Sequence, residues 1–118
     1  MLQLHNTFSG KKEEFNSLAP REARMYTCGP TVYDYAHIGN LRAYIFEDLL
    51  RRVLKLKGYK VTQIMNLTDV DDKTIQGAIR EKLTLDQFTE KYIKAFFEDL
   101  ETLRIEKAEG YSILWDYS

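Results

Sequence analysis

The sequence predicts an α/β domain in which parallel strands are joined by helices. A β-branched and aromatic run at residues 24–28, a long amphipathic segment starting at Leu41 and a second β-rich run at residues 61–67 follow within roughly forty residues. A strand, a helix and a strand at that spacing form a βαβ unit, which makes the strands parallel and the crossover right-handed. Two further helical stretches follow.

Taken in order, residues 2–7 read as a short strand closed by a turn at Ser9 and Gly10. Residues 11–16 are charged and read as loop or a single helical turn, and residues 20–24 as loop. The strand at 24–28 ends at Gly29 and Pro30, because proline brings no backbone donor to a ladder. A polar, aromatic loop covers residues 31–40. From there Leu41, Ile45, Leu49, Val53 and Leu56 recur at three- and four-residue steps, and Tyr44, Phe46, Leu50 and Leu54 widen the stripe, so this face is expected to be buried. Gly58 stops the helix, with Lys55 and Lys57 complementing its carbonyl end.

After the second strand, Asp69, Asp71 and Asp72 lead into a short helix over residues 73–82. A calcium loop starting at Asp69 would put Lys73, Thr74 and Arg80 at its fifth, sixth and twelfth positions, so that reading fails and helix capping accounts for the carboxylates. Thr84 and Gln87 make a capping box. The helix it opens runs to about Leu103, with Phe88, Tyr92, Phe96, Leu100 and Leu103 as its buried stripe and Glu90, Lys91, Lys94 and Glu98 as its wet side. Residues 110–118 are aromatic and show no clear period, and the chain has no internal repeat.

Composition bounds the function. A chain of 118 residues is one modest domain. Seventeen basic against eighteen acidic residues disfavour a free-standing electrostatic nucleic-acid binder. There is no apolar run long enough for a membrane span, no basic-then-apolar leader, and one cysteine, so no internal disulfide. A soluble, cytoplasmic protein without a membrane partner is expected. Arg51, Arg52, Lys55, Lys57 and Lys60 read as a solvated helix face rather than an RNA contact. Tyr33, Tyr35 and Tyr44 read as packing, and His5 as structural or exposed.

The chemistry falls on residues 28–40. In open α/β sheets ligands bind beyond the carboxyl ends of the strands. A helix start there offers unpaired backbone N–H groups to a phosphate. His37 adds a donor, Gly39 removes a side chain so that a flat base can approach, and Asn40 brings a donor and an acceptor. The same residues also fit a plain turn and N-cap, and neither strand is followed by a glycine-rich phosphate loop. Cys28, taken alone, fits a small buried hydrophobe.

Residues 27–40, Thr-Cys-Gly-Pro-Thr-Val-Tyr-Asp-Tyr-Ala-His-Ile-Gly-Asn, resemble the first signature of the cysteinyl-tRNA synthetases, a class I aminoacyl-tRNA synthetase family. His37-Ile38-Gly39-Asn40 is that family's form of the class I His-Ile-Gly-His motif. Residues 66–73 and the N-terminal strand and loop match as well, with His5 where tyrosine is usual, and the resemblance covers about residues 2–107. It implies the first half of a class I Rossmann-like (HUP-type) parallel sheet followed by helices, with residues 108–118 a divergent tail.

It also implies ATP-dependent activation of cysteine, with Mg2+, to cysteinyl-adenylate and transfer to tRNA(Cys). By position His37 and Asn40 would be catalytic, holding phosphate oxygens in the transition state, and Gly39 would complete the ATP site beneath the adenine. Gly29, Thr31 and Thr68 would line the amino-acid pocket, and Cys28 would be one of four ligands to a Zn2+ that takes the substrate thiolate.

The departures from the family set further expectations. The Lys-Met-Ser-Lys-Ser-like second signature and three of the four zinc ligands have no counterpart in the chain, so weak or no zinc binding and little turnover are expected of it alone. An exposed apolar sheet edge is expected, covered by self-association or by the missing C-terminal portion. Two rival readings remain: a truncated, non-catalytic paralogue acting as a binding module, and a relative that joins cysteine to an amino sugar.

Overall fold

A computed structural model of the chain describes residues 1–113, so the end of the aperiodic tail, residues 114–118, lies outside the described residues. The first two strands, β1 (Gln3–Asn6) and β2 (Lys11–Glu14), form an antiparallel hairpin with Gln3 opposite Glu14 and Asn6 opposite Lys11. Residues 11–14 are therefore strand, not loop or helical turn. The turn makes them so: Asn6 accepts from Gly10 N at 2.8 Å, and Gly10 takes φ 72°. All four β2 residues are exposed, and for that reason no apolar alternation marks them.

The main sheet holds β3 (Glu22–Thr27), β4 (Lys60–Leu67) and β5 (Gly110–Ile113) in the order β3-β4-β5, every pair parallel. Helix α1 (Ile38–Leu56) links β3 to β4, while α2 (Asp72–Glu81) and α3 (Leu85–Thr102) lie between β4 and β5. The predicted α/β class with a parallel sheet is what the structure shows. β3 starts at Glu22, inside the expected loop, because Glu22 pairs with Lys60 and Lys60 N donates to Arg21 O at 2.8 Å. β5 forms where the sequence shows no period. A Cβ on Gly110 would meet Ile64 Cδ1 at 2.8 Å, so glycine lets this strand close on β4.

Along β4, Val61, Gln63, Met65 and Leu67 are buried, alternating with residues that are exposed or half-buried. Tyr44 of α1, Phe96 and Leu100 of α3, and Ile105 cover Met65 and Leu67. Each such aliphatic or aromatic side chain contributes about 1.5–3 kcal/mol through burial. Helices α2 and α3 meet where Gly77 faces the fully buried Phe88, and a Cβ at Gly77 would overlap that ring. Ala23, Leu54 and Val61 make a third cluster, with Phe15 and Tyr59 edge-to-face at 5.3 Å beside it. The opposite face of the sheet carries Arg24, Tyr26 and Thr62, all exposed.

Helix α1 sits differently from its apolar period. Its buried residues are Tyr44, Arg51 and Leu54, while Ile45, Leu49 and Leu56 of the expected stripe are 48%, 56% and 85% exposed. Arg51, read as solvated, is itself buried and is the centre of an ionic cluster whose carboxylates reach the surface. Its Nη1 and Nη2 each lie 2.6 Å from a Glu109 oxygen, and its Nε lies 2.8 Å from Glu106. Glu109 also accepts from Gln63 N at 2.8 Å, and Arg51 holds its carboxyl down at about 2. These bonds tie α1 to β4 and to the segment entering β5. Arg52 and Lys55 do stay at the surface, on Asp48 and Glu106. Leu103 is not the last buried residue of α3 but its C-cap, 42% exposed. No helix among the described residues is long and apolar enough to cross a membrane.

Candidate functional site

β3 ends at Thr27, and the chain then runs close along β4. Gly29 N donates to Asn66 Oδ1 at 2.9 Å, and a Cβ at Gly29 would strike the Asn66 carbonyl oxygen. Thr68 N donates to Pro30 O and Val32 N to Thr68 O, both at 3.0 Å, so Thr31 and Thr68 continue the parallel pairing for one bridge. Gly29, Thr31 and Thr68, three residues singled out from sequence, are thereby gathered at the carboxyl ends of β3 and β4. Val32, 1% exposed, anchors the loop against Ala78 and Phe88.

The loop leads into the start of α1. His37 is the N-cap, and its Nδ1 accepts from Gly39 N at 3.0 Å and Asn40 N at 3.4 Å. Asn40, at the third helical position, returns a bond by accepting from His37 N at 3.1 Å. Two backbone N–H groups expected to be open for a phosphate are therefore already satisfied, because the imidazole folds back over the first turn. The donors that remain are on side chains. A neutral imidazole accepting at Nδ1 carries its proton on Nε2, and Asn40, accepting at Oδ1, keeps both Nδ2 hydrogens. Gly39 makes this possible, since a Cβ there would meet His37 Cε1 at 2.9 Å.

Two clefts flank this helix start. One, of about 320 Å³, is lined by Gly29, Thr31, Tyr35, His37, Asn40 and Lys73 among others. The other, of about 540 Å³, takes in Thr27, Cys28, Gly39, Arg42, Phe46 and Glu47. His37 and Asn40 thus face one cleft, with Gly29 and Thr31, while Cys28 and Gly39 face the other. Thr68 lines neither and meets the site through its bridge to Thr31.

Cys28 is a free, exposed thiol, not a buried hydrophobe. No group of three His, Cys, Asp or Glu that could hold a metal occurs among the described residues. Cys28 offers one ligand where a structural zinc needs four, so the described residues do not fit zinc on their own. Asp71 caps α2, accepting from Lys73 N at 3.1 Å, as helix capping requires.

Sequence reasoning missed Glu47. Its Oε1 is buried with no partner among the described residues. Burial pushes the carboxyl up to about 7, against the neighbouring Thr27 side chain, which pulls it down. Burial also raises Tyr44 to about 12, with Glu47 adding to the effect. Gln63 Oε1 lies 3.4 Å from Arg51 Nη1 and its Nε2 donates to Thr27 Oγ1 at 3.0 Å, so a polar path runs from Arg51 through Gln63 to Thr27. A signal existed: residues 44, 47, 51 and 54 share one helical face, and Gln63 stands in the middle of a buried strand.

The family model for tRNA synthetases class I (C) catalytic domain matches residues 14–114. A cysteine–tRNA ligase of Protochlamydia amoebophila (strain UWE25) is 57% identical over 116 residues, covering 98% of this chain and 24% of that protein. One from Chlamydia trachomatis serovar D is 57% identical over 110 residues, covering 93% of this chain and 23% of the relative. One from Koribacter versatilis (strain Ellin345) is 57% identical over 108 residues, covering 92% and 22%. The chain spans about a quarter of the length of these relatives. With a parallel sheet, a His-Ile-Gly-Asn helix start at its carboxyl edge and a family match over most of its length, the chain belongs to the class I (C) tRNA synthetase catalytic-domain family.

Proposed function

We propose that this chain forms the N-terminal part of the catalytic unit of a cysteine–tRNA ligase. The observation that carries the reading is the helix start itself: a cap made from His37 and Asn40 that leaves Nε2–H and Nδ2–H as donors beside a cleft. The carboxylate of cysteine attacks the α-phosphate of ATP, supplied as its Mg2+ complex, and the bond to pyrophosphate breaks. In that transition state negative charge builds on the α-phosphate oxygens. His37 and Asn40 donate to them from positions the cap has already fixed, so little reorganisation is needed. The terminal ribose hydroxyl of tRNA(Cys) then attacks the cysteinyl carbonyl, and AMP leaves.

Gly39, bare and exposed in the larger cleft, is the place for the adenine. Gly29 and Thr31 form the floor for the amino acid, and Thr68 backs Thr31 through their bridge. Cys28 brings one thiol, and a zinc held there would need its other ligands from outside the described residues. The rest of the catalytic fold belongs on the uncovered side: the open edge of β3 and the exposed Ile45, Phe46 and Leu49 of α1. Relatives about four times as long support that assignment.

The test replaces the matching segment of the Protochlamydia relative with residues 1–113 and measures cysteine-dependent ATP–pyrophosphate exchange. Exchange within about tenfold of the parent is expected, since each 1.4 kcal/mol of barrier is a factor of ten. A folded chimera without exchange overturns the reading.

A further inference from the structure

The covered face of the main sheet is chiefly apolar, with Ala23, Val61, Met65 and Leu67 buried on it. Gln63, 3% exposed, and the half-buried Thr27 interrupt it. Burying an amide costs stability unless its groups are paired, and an apolar side chain of similar volume packs as well or better. Gln63 is paired at both ends. Its Oε1 lies 3.4 Å from Arg51 Nη1, and its Nε2 donates to Thr27 Oγ1 at 3.0 Å. A guanidinium only donates, so Arg51 decides which end of the amide faces α1 and turns the donor end toward β3. Arg51 is in turn held by Glu106 and Glu109, and Glu109 also accepts from Gln63 N at 2.8 Å.

This line of bonds ends where the site begins. Thr27 closes β3, and Cys28 and Gly29 follow it. Gly29 N donates to Asn66 Oδ1 at 2.9 Å, so the turn is held from both sides of β4, by Gln63 through Thr27 and by Asn66 through Gly29. His37 and Asn40, by contrast, hold each other through bonds that span three residues. We propose that Gln63, oriented by Arg51, is a positioning residue for the amino-acid side of the site: it fixes Thr27 and with it the Cys28–Gly29 turn, while the cap sets the phosphate donors independently. The proposal rests on the ligase reading for what the turn does, and adds the residues that place it.

Two experiments test it. In the 118-residue chain, amide hydrogen exchange is compared between the parent, Gln63→Leu, and Thr27→Val, which keeps the side-chain shape and removes Oγ1. Both variants should speed exchange at the Gly29 amide about tenfold and leave the Gly39 and Asn40 amides at the parent rate. Thr27→Ser, which keeps the hydroxyl, should exchange like the parent. No change at Gly29, or equal acceleration at all three amides, overturns the proposal. In the ligase chimera, the same two variants should raise the KM for cysteine in ATP–pyrophosphate exchange about tenfold and leave the KM for ATP within about twofold. The double variant Gln63→Leu/Thr27→Val should raise it no further than either change alone, because both remove the same bond. Equal rises for both substrates, additive effects, or a lower melting temperature with unchanged KM values would make the pair a packing feature and overturn the proposal. If the chimera lacks exchange while the Gly29 contrast holds in the chain, the ligase reading fails and the positioning of the turn stands.

Discussion

At the start of α3, Thr84 Oγ1 accepts from Gln87 N at 3.2 Å and Gln87 Oε1 accepts from Thr84 N at 3.1 Å. At the start of α1, His37 and Asn40 make the same reciprocal pair, at 3.4 and 3.1 Å. Threonine is among the residues helices prefer as N-caps, and histidine is not. The α3 box stands in solvent and closes a helix end. The α1 box stands between two clefts at the carboxyl edge of the sheet, and its imidazole has a second nitrogen left over once the cap is made. The proposed site thus sits where a less preferred cap stands at the carboxyl edge of the sheet.

The largest effect should separate cap from chemistry. In the ligase chimera, His37→Ser keeps a capping oxygen and removes the Nε2 donor. The melting temperature should hold within a few degrees while exchange falls about 10²–10³-fold. A variant that melts early with normal activity per folded molecule would erase the contrast. Gly39→Ala should come next, because its Cβ forces the His37 ring to move. A drop of roughly tenfold in exchange, with a smaller change in stability, is expected. Thr84→Ala reverses the pattern: about 1 kcal/mol of stability lost, near 4–5 °C in the melting temperature of the 118-residue chain, with exchange per folded molecule of the chimera unchanged.

The smallest effect concerns Glu47, further along α1. Its carboxyl is held at about 7 in the folded state against the ordinary 4.5, so the folded chain keeps a proton that the unfolded chain releases. Stability should therefore fall as pH rises from about 4.5 to about 7. Glu47→Gln should flatten that decline, read as the difference in melting temperature between pH 5 and pH 8. Partial exposure of the group keeps the effect modest.

Much of the candidate site's geometry was legible because its signals are local. The block at residues 27–40 names its residues in chain order, and the parallel pairing of β3 with β4 brings Gly29 and Thr31 to Thr68. What could not be read was how the cap spends its donors, since the fold-back of His37 depends on the ring's rotamer over Gly39. Glu47 was missed for a related reason. A carboxylate on a helix reads as solvated unless it is known that Thr27 and the sheet lie against it.

By itself the sequence determined the local and near-neighbour structure: the capping residues Asp71 and Thr84, the stop at Gly58, the alternation along β4 and the parallel βαβ unit. These follow from backbone sterics and from hydrogen bonds spanning a few residues. Only the tertiary structure decided which face of α1 was covered and what became of its charges. Ile45 and Leu49 have the right period but stay about half exposed, whereas Arg51 is buried because Glu106 and Glu109, more than fifty residues on, return to meet it. Hydrophobic period shows which face can be buried. Burial also needs a surface to cover it, and a buried charge needs its counter-charges, which the chain delivers only when β5 closes on β4.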